Sequence, residues 1–131
     1  MKRMIPILLM MTLLLTGCAV PKPATEANTY RQITMQEAVE MMEKEENYII
    51  LDVRTHEEFA AGHIPGAIVI PNETISTEEI TRLPDKDQLI MVYCRSGNRS
   101  KQASGKLVQL GYTNIVEFGG INSWPGEIVT D

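Results

Sequence analysis

The chain has few cysteines, few aromatic residues and no long hydrophobic run. Its 131 residues include two cysteines, Cys18 and Cys94, and aromatic side chains make up 5% of the total. Two cysteines exclude a disulfide-rich scaffold, in which several bridges replace a core. The longest apolar stretch is about a dozen residues, short of the roughly 20 that a membrane-spanning helix needs. The remaining composition, 44% hydrophobic and 22% charged, is typical of one globular domain.

The N-terminus has the pattern of an export signal. Two basic residues, Lys2 and Arg3, precede an apolar run that ends in LTGC at residues 15–18. This tetrapeptide resembles the bacterial lipobox, in which cleavage before the cysteine leaves that residue lipidated. We therefore predict a lipoprotein signal peptide over residues 1–17, and a protein that is exported and lipid-anchored through Cys18 to the extracytoplasmic side of a bacterial membrane. The alternative is an ordinary signal peptide with an incidental cysteine.

The rest of the chain divides into a tether and one domain. Residues 18–29 are small, polar and proline-bearing, which predicts a flexible tether after the lipidated N-terminus. Residues 30–131 form the predicted domain. Loss of residues 1–17, with two basic and no acidic side chains, would leave a net charge of about −7, which argues against nucleic acid as a partner.

Strand and helix patterns alternate along the predicted domain. A capping box of Thr34 and Glu37 predicts a helix that runs to about Glu46. Apolar runs predict strands over residues 48–53, 67–70, 89–93 and 115–118. The segments between these runs predict helices over residues 56–61, 76–83 and 100–110. The alternation predicts an α/β fold, a parallel sheet with helices on both faces. Ligands bind such sheets beyond the carboxyl ends of the strands, and Cys94 follows one of these ends.

A tight turn follows Cys94 before the next helix. Gly97 allows the chain to turn, and the N–H groups of the turn and of the first helical turn form a nest that favours an anion. A thiolate at Cys94 would be stabilised there, and Arg95 and Arg99 add positive charge that can bind an oxyanion. The alternative is that Cys94 is a buried structural thiol.

Three segments together resemble a known family. The loop CRSGNRS (94–100) resembles the active-site loop of rhodanese-like sulfurtransferases, particularly the small single-domain bacterial ones. LDVRTHEEFAAGHIPGAIVIP (51–71) is similar to the upstream signature of that family, and FGGINSWPGE (118–127) to its closing segment. The resemblance therefore covers most of the predicted domain and implies a rhodanese-like fold.

The resemblance also implies a reaction. Cys94 would attack the outer sulfur of a donor such as thiosulfate, become a persulfide, and pass the sulfur to a nucleophilic acceptor such as a thiol or cyanide, with no metal or other cofactor. The substrate-binding positions would be the loop residues Arg95, Ser96, Gly97, Asn98 and Arg99. Asp52 and Arg54 follow a buried strand, so they could form an ion pair that braces the active loop, or a purely structural pair.

The length of the loop separates close alternatives. Four residues lie between Cys94 and Arg99, whereas relatives that act on phosphate or arsenate have five, so the shorter loop favours a sulfur atom. Two other classes of function stay open. The chain could be a non-catalytic binding module of the cell envelope, or it could sense redox state through a mixed disulfide at Cys94.

Overall fold

A five-stranded parallel sheet forms the centre of the molecule. The computed structural model describes residues 29–131; the predicted signal peptide, Cys18 and the tether up to residue 28 lie outside the described residues. The strands are β1 (Arg31–Gln32), β2 (Tyr48–Asp52), β3 (Ile68–Val69), β4 (Leu89–Cys94) and β5 (Ile115–Gly120). They lie in the order β1-β5-β4-β2-β3, and every pair is parallel. The predicted α/β class with a parallel sheet is confirmed.

Helices cover both faces of this sheet, as predicted. The helices are α1 (Met35–Lys44), α2 (His56–Ala61) and α3 (Asn98–Gln109). Side chains of α1 and α2 pack with one apolar cluster that includes Met91 and Phe118, whereas α3 packs with a second cluster that includes Val92 and Ile115. Because β4 and β5 contribute to both clusters, they are buried on both faces, which explains their nearly continuous apolar sequence.

The ends of the helices follow from local sequence. The predicted capping box of Thr34 and Glu37 is present at the start of α1, and Thr55 with Glu58 forms a second one at the start of α2. Gly111 has a φ of 97° directly after the last turn of α3, a conformation that glycine adopts without strain. Within residues 29–131, none of the helices combines the length and the apolar character needed to cross a bilayer.

The helix predicted over residues 76–83 is wrong. This segment contains no helix; it is an irregular connection held to the rest of the molecule near both of its ends. Ile75 and Leu83 are buried, the Leu83 carbonyl accepts a hydrogen bond from the Tyr112 hydroxyl, and Arg82 Nη1 donates to the Val69 carbonyl at 2.6 Å. These tertiary contacts outweigh the local helix propensity of a short polar sequence.

Candidate active site

The fold places Cys94 at the carboxyl edge of the sheet. Cys94 is the last residue of the central strand β4, and it is 1% exposed. The register between β4 and β5 shifts after Val92, so that Cys94 lies opposite Gly120. The chain then turns through three residues and enters α3 at Asn98. The thiol therefore lies beneath a short loop rather than in the open.

Backbone N–H groups of this loop are directed at the sulfur. Gly97 has a φ of 116°, and its N–H donates to Cys94 Sγ at 3.0 Å. Burial raises the pKa of Cys94, but the hydrogen bond between its sulfur and the Ser100 side chain, together with the N–H groups of Ser100, Gly97 and Ser96, outweighs burial and holds that pKa below its ordinary value. The loop therefore favours an anion at the sulfur, as the nest expected from the sequence requires.

Two glycines of β5 make room for the loop. A Cβ atom at Gly120 would overlap the backbone of Arg95 and Ser96, so the loop can lie against the strand only because residue 120 has no side chain. Gly119 has a φ of 94°, the left-handed region that glycine tolerates. The loop and the end of β5 are thus a single packed unit.

A buried carboxylate below the loop was missed by the sequence analysis. Glu117 in β5 is 3% exposed, and its Oε1 accepts hydrogen bonds from Ser100 Oγ at 2.6 Å and from the Gly119 N–H at 2.9 Å. The Ser100 hydroxyl also lies 3.4 Å from Cys94 Sγ and 2.9 Å from the Gly97 carbonyl. Glu117 could have been identified from the sequence, because it is the only charged residue in the otherwise apolar strand IVEFGG, which ends at the same edge of the sheet as Cys94.

Arg99 forms an ion pair with α2. Its two terminal nitrogens donate to both carboxylate oxygens of Glu58, at 2.7 and 3.0 Å. The hydrogen bonds from Arg99 lower the pKa of Glu58 to about 2, and Glu58 in turn raises the pKa of Arg99. Arg99, which was predicted to bind the oxyanion of the donor, is therefore held at the edge of the loop by the Glu58 carboxylate. The sequence analysis did not predict this ion pair.

Asp52 and Arg54 do form the predicted ion pair. Arg54 Nε and Nη2 donate to the Asp52 carboxylate at 2.7 to 3.0 Å, and Nη2 also donates to the Gly62 carbonyl at 2.7 Å. The Tyr93 hydroxyl donates to Asp52 at 2.8 Å and accepts from the Ile64 N–H at 3.2 Å. Burial raises the pKa of Tyr93 and keeps the hydroxyl protonated. The Asp52–Arg54 pair and Tyr93 thus join β2 and β4 to the segment after α2, which contains Gly62 and Ile64. None of these side-chain hydrogen bonds reaches the Cys94 loop.

The outer side of the loop is accessible. Arg95, Ser96 and Asn98 are exposed, so the loop presents charged and polar groups to solvent next to the buried sulfur. A cavity of about 360 Å³ adjoins the loop, and Gly97, Lys101 and Glu117 are among its lining residues. The arrangement offers a nucleophilic sulfur, an anion nest around it and positive charge at its rim.

The comparisons with known proteins agree with this geometry. Residues 34–127 match the family described as rhodanese-like domain. The chain is 38% identical over 71 residues to the thiosulfate sulfurtransferase PspE of Escherichia coli (strain K12), covering 54% of this chain and 68% of that protein. It is 32% identical over 96 residues to the thiosulfate sulfurtransferase GlpE of Pseudomonas putida (strain KT2440), covering 72% of this chain and 84% of the relative.

Solved structures share the fold. A rhodanese-related protein from Thermoplasma volcanium is 32% identical with a TM-score of 0.65, and the match covers 78% of this chain and 100% of that chain. A rhodanese-like domain protein from Staphylococcus aureus is 30% identical with a TM-score of 0.66, covering 77% and 98%. The chain belongs to the rhodanese-like family. It is an enzyme of the rhodanese-like sulfurtransferase class, as the resemblance predicted.

Proposed function

We propose that Cys94 carries sulfur as a persulfide between a donor such as thiosulfate and a nucleophilic acceptor such as a thiol or cyanide. The observation that carries the proposal is the Gly97 N–H at 3.0 Å from Cys94 Sγ, within a loop that lowers the pKa of the thiol. The thiolate attacks the outer sulfur of the donor, the S–S bond of thiosulfate breaks, and sulfite leaves with the bonding electrons. The acceptor then attacks the outer sulfur of the persulfide and regenerates the Cys94 thiolate.

The loop suits both anionic states of this cycle. The negative charge lies on Sγ in the free enzyme, 3.0 Å from the Gly97 nitrogen, and on the outer sulfur in the persulfide, which the remaining N–H groups of the same loop would stabilise. Arg95 at the exposed rim supplies positive charge for an oxyanion donor. Arg99 keeps N–H groups beyond the two that Glu58 engages, so donor binding and the Glu58 ion pair are compatible.

Sulfur transfer is tested with the purified chain and two readouts. Incubation with thiosulfate should add one sulfur atom to the Cys94 peptide, measured by mass spectrometry, and addition of cyanide should release that sulfur as thiocyanate. The Cys94→Ser variant should give neither signal. If the wild-type protein gives neither signal with any of several sulfane donors, the non-catalytic or redox-sensing module becomes the better explanation.

We also propose the lipid anchor on Cys18 and the extracytoplasmic location that follows from it. The support is the order of basic residues, apolar run and LTGC at residues 15–18. Expression in a bacterium with labelled palmitate should label the protein, and the Cys18→Ala variant should stay unlabelled. Labelling of that variant, or a mature N-terminus other than residue 18, would refute the anchor.

A further inference from the structure

The buried network beside the sulfur contains fewer protons than it has acceptors. The Ser100 hydroxyl has one hydrogen, yet four possible acceptors lie around it: Glu117 Oε1 at 2.6 Å, the Gly97 carbonyl at 2.9 Å, and the Gly119 carbonyl and Cys94 Sγ, each at 3.4 Å. The shortest of these contacts is the one to the carboxylate. A hydrogen bond to an ionised acceptor is also stronger than one to a neutral carbonyl.

We propose that Glu117 opposes ionisation of Cys94 by holding the single hydroxyl proton of Ser100. This inference rests on the proposed function and deepens it, because it names a residue that sets how much free thiolate the enzyme contains. When Cys94 is protonated, its S–H donates to Ser100 Oγ and the hydroxyl donates to Glu117, so the thiol and the carboxylate each have a partner. When Cys94 ionises, the thiolate and the carboxylate compete for the same hydroxyl proton.

Electrostatic repulsion acts in the same direction. Hydrogen bonds of 3.4 Å and 2.6 Å join Cys94 to Ser100 and Ser100 to Glu117, so the sulfur and Oε1 lie within about 6 Å of each other. All three residues are at most 3% exposed, so water screens the two charges weakly. A carboxylate at this distance disfavours a thiolate.

The competition is weaker once sulfur is bound. A sulfur atom bonded to Sγ moves the negative charge one bond outward, away from the carboxylate below the loop. The free thiolate is therefore disfavoured more than the persulfide by Glu117. In this way a residue that does not touch the donor favours the sulfur-loaded enzyme. Glu117 is a positioning residue that acts through Ser100.

Other charged groups surround the site and stay unchanged in the test. Arg95 lies in the loop, Arg99 faces it from α3, and Lys101 of α3 shares the cavity lining with Glu117. Glu58 of α2 pairs with Arg99, and Glu73 also acts on Arg99. Leu51 of β2 and Ala103 and Leu107 of α3 pack in the same apolar cluster as Cys94. Glu117 is thus the acid joined to the sulfur through one hydroxyl.

The test is the pH dependence of Cys94 alkylation by iodoacetamide, followed on the Cys94 peptide in the full chain. Glu117→Gln keeps an oxygen that can accept from Ser100 and Gly119 but removes the charge. Well below the midpoint of the profile, this variant should react about threefold to tenfold faster than wild type, with the midpoint at lower pH. Glu40→Gln, a change at an exposed acid of α1, should leave the profile unaltered.

A second variant keeps the test decisive. In the Ser100→Ala background the hydroxyl is gone, so Glu117→Gln should accelerate alkylation less than it does in wild type. An unchanged or slower reaction of the single Glu117→Gln variant, or an equal acceleration with and without Ser100, would overturn the proposal. Alkylation needs no sulfur donor, so these results are independent of whether persulfide formation is observed.

Discussion

At the scale of single residues, Arg99 joins the active-site loop to α2 through Glu58. The sequence analysis identified Arg99 from its spacing to Cys94, but the pairing with Glu58 depends on how close the tertiary fold brings α2 to the start of α3. No local pattern encodes that distance. Glu58 was visible only as part of a resembling segment, and its double role, in the capping box of α2 and in the ion pair, became apparent from the structure.

The depressed pKa of Glu58 predicts a specific acid sensitivity. Its pKa is about 2 in the folded protein, against an ordinary value of 4.5, so its contribution to stability is complete above pH 4.5 and is lost as the pH falls toward 2. Because the side chain is partly exposed, the contribution is about 1 kcal/mol or less. Urea unfolding at pH 7 and pH 3 should therefore show a smaller pH-dependent loss in Glu58→Gln than in wild type, whereas Glu40→Gln should retain the wild-type loss.

Tyr93 tests whether the Asp52–Arg54 pair is structural. In Tyr93→Phe the Asp52 carboxylate and the Ile64 N–H each lose a buried partner, so we expect the free energy of unfolding to fall by about 1–3 kcal/mol. The thiocyanate rate per folded molecule should stay within about twofold of wild type, because the bonds of the pair reach the segment after α2. A large loss of rate with intact stability would instead show that the pair braces the Cys94 loop.

At the scale of elements, the buried strands were predictable and the surface connections were not. β2, β4 and β5 are apolar because both of their faces are covered, so their sequences alone identify them. β1 consists of Arg31 and Gln32, which are exposed and carry no periodic signal; the strand exists because β5 offers it a pairing edge. The segment 76–83 has the sequence of a helix start, but buried residues near both of its ends impose an irregular path.

The contact between β5 and the Cys94 loop gives a sharp prediction. In Gly120→Ala the new methyl group would overlap the Arg95 carbonyl, which must move and carry the loop with it. We expect persulfide formation on Cys94 to fall by at least about tenfold, since displaced N–H groups no longer stabilise the anion.

Gly105→Ala is the matched control for that prediction. Gly105 lies in α3, and a Cβ atom there would meet nothing within 4 Å. This variant should keep full sulfur transfer and gain about 0.5–1 kcal/mol of stability from its helix propensity. Equal activity of the Gly120→Ala and Gly105→Ala proteins in the same mass-spectrometric assay would show that the loop tolerates displacement.

At the scale of the whole molecule, the C-terminal residues close the structure around α2. His63 and Val129 exchange two backbone hydrogen bonds of 2.9 and 3.0 Å, and the His63 ring stacks on Phe59 at 3.7 Å. His63 Nε2 also lies 3.0 Å from an Asp131 carboxylate oxygen. The alternation of elements predicted the sheet and its helices, but this closing contact joins residues 66 positions apart and has no local signature.

Deletion of residues 128–131 should therefore loosen the fold without abolishing the reaction. Loss of the two backbone bonds and of the Ile128 contact with Gly62 should lower Tm by about 4–8 °C, which corresponds to roughly 1 kcal/mol in a domain of this size. Calorimetry measures the change. Asp131→Asn should have a much smaller effect, and an unchanged Tm in the truncated protein would contradict the closing role of this segment.

The two outermost strands of the sheet are only two residues long each. A neighbouring copy approaching edge-on would meet few unpaired amides and carbonyls, too few to extend the sheet from one molecule to the next. Edge strands this short would therefore disfavour fibre formation even where many copies of the protein lie close together.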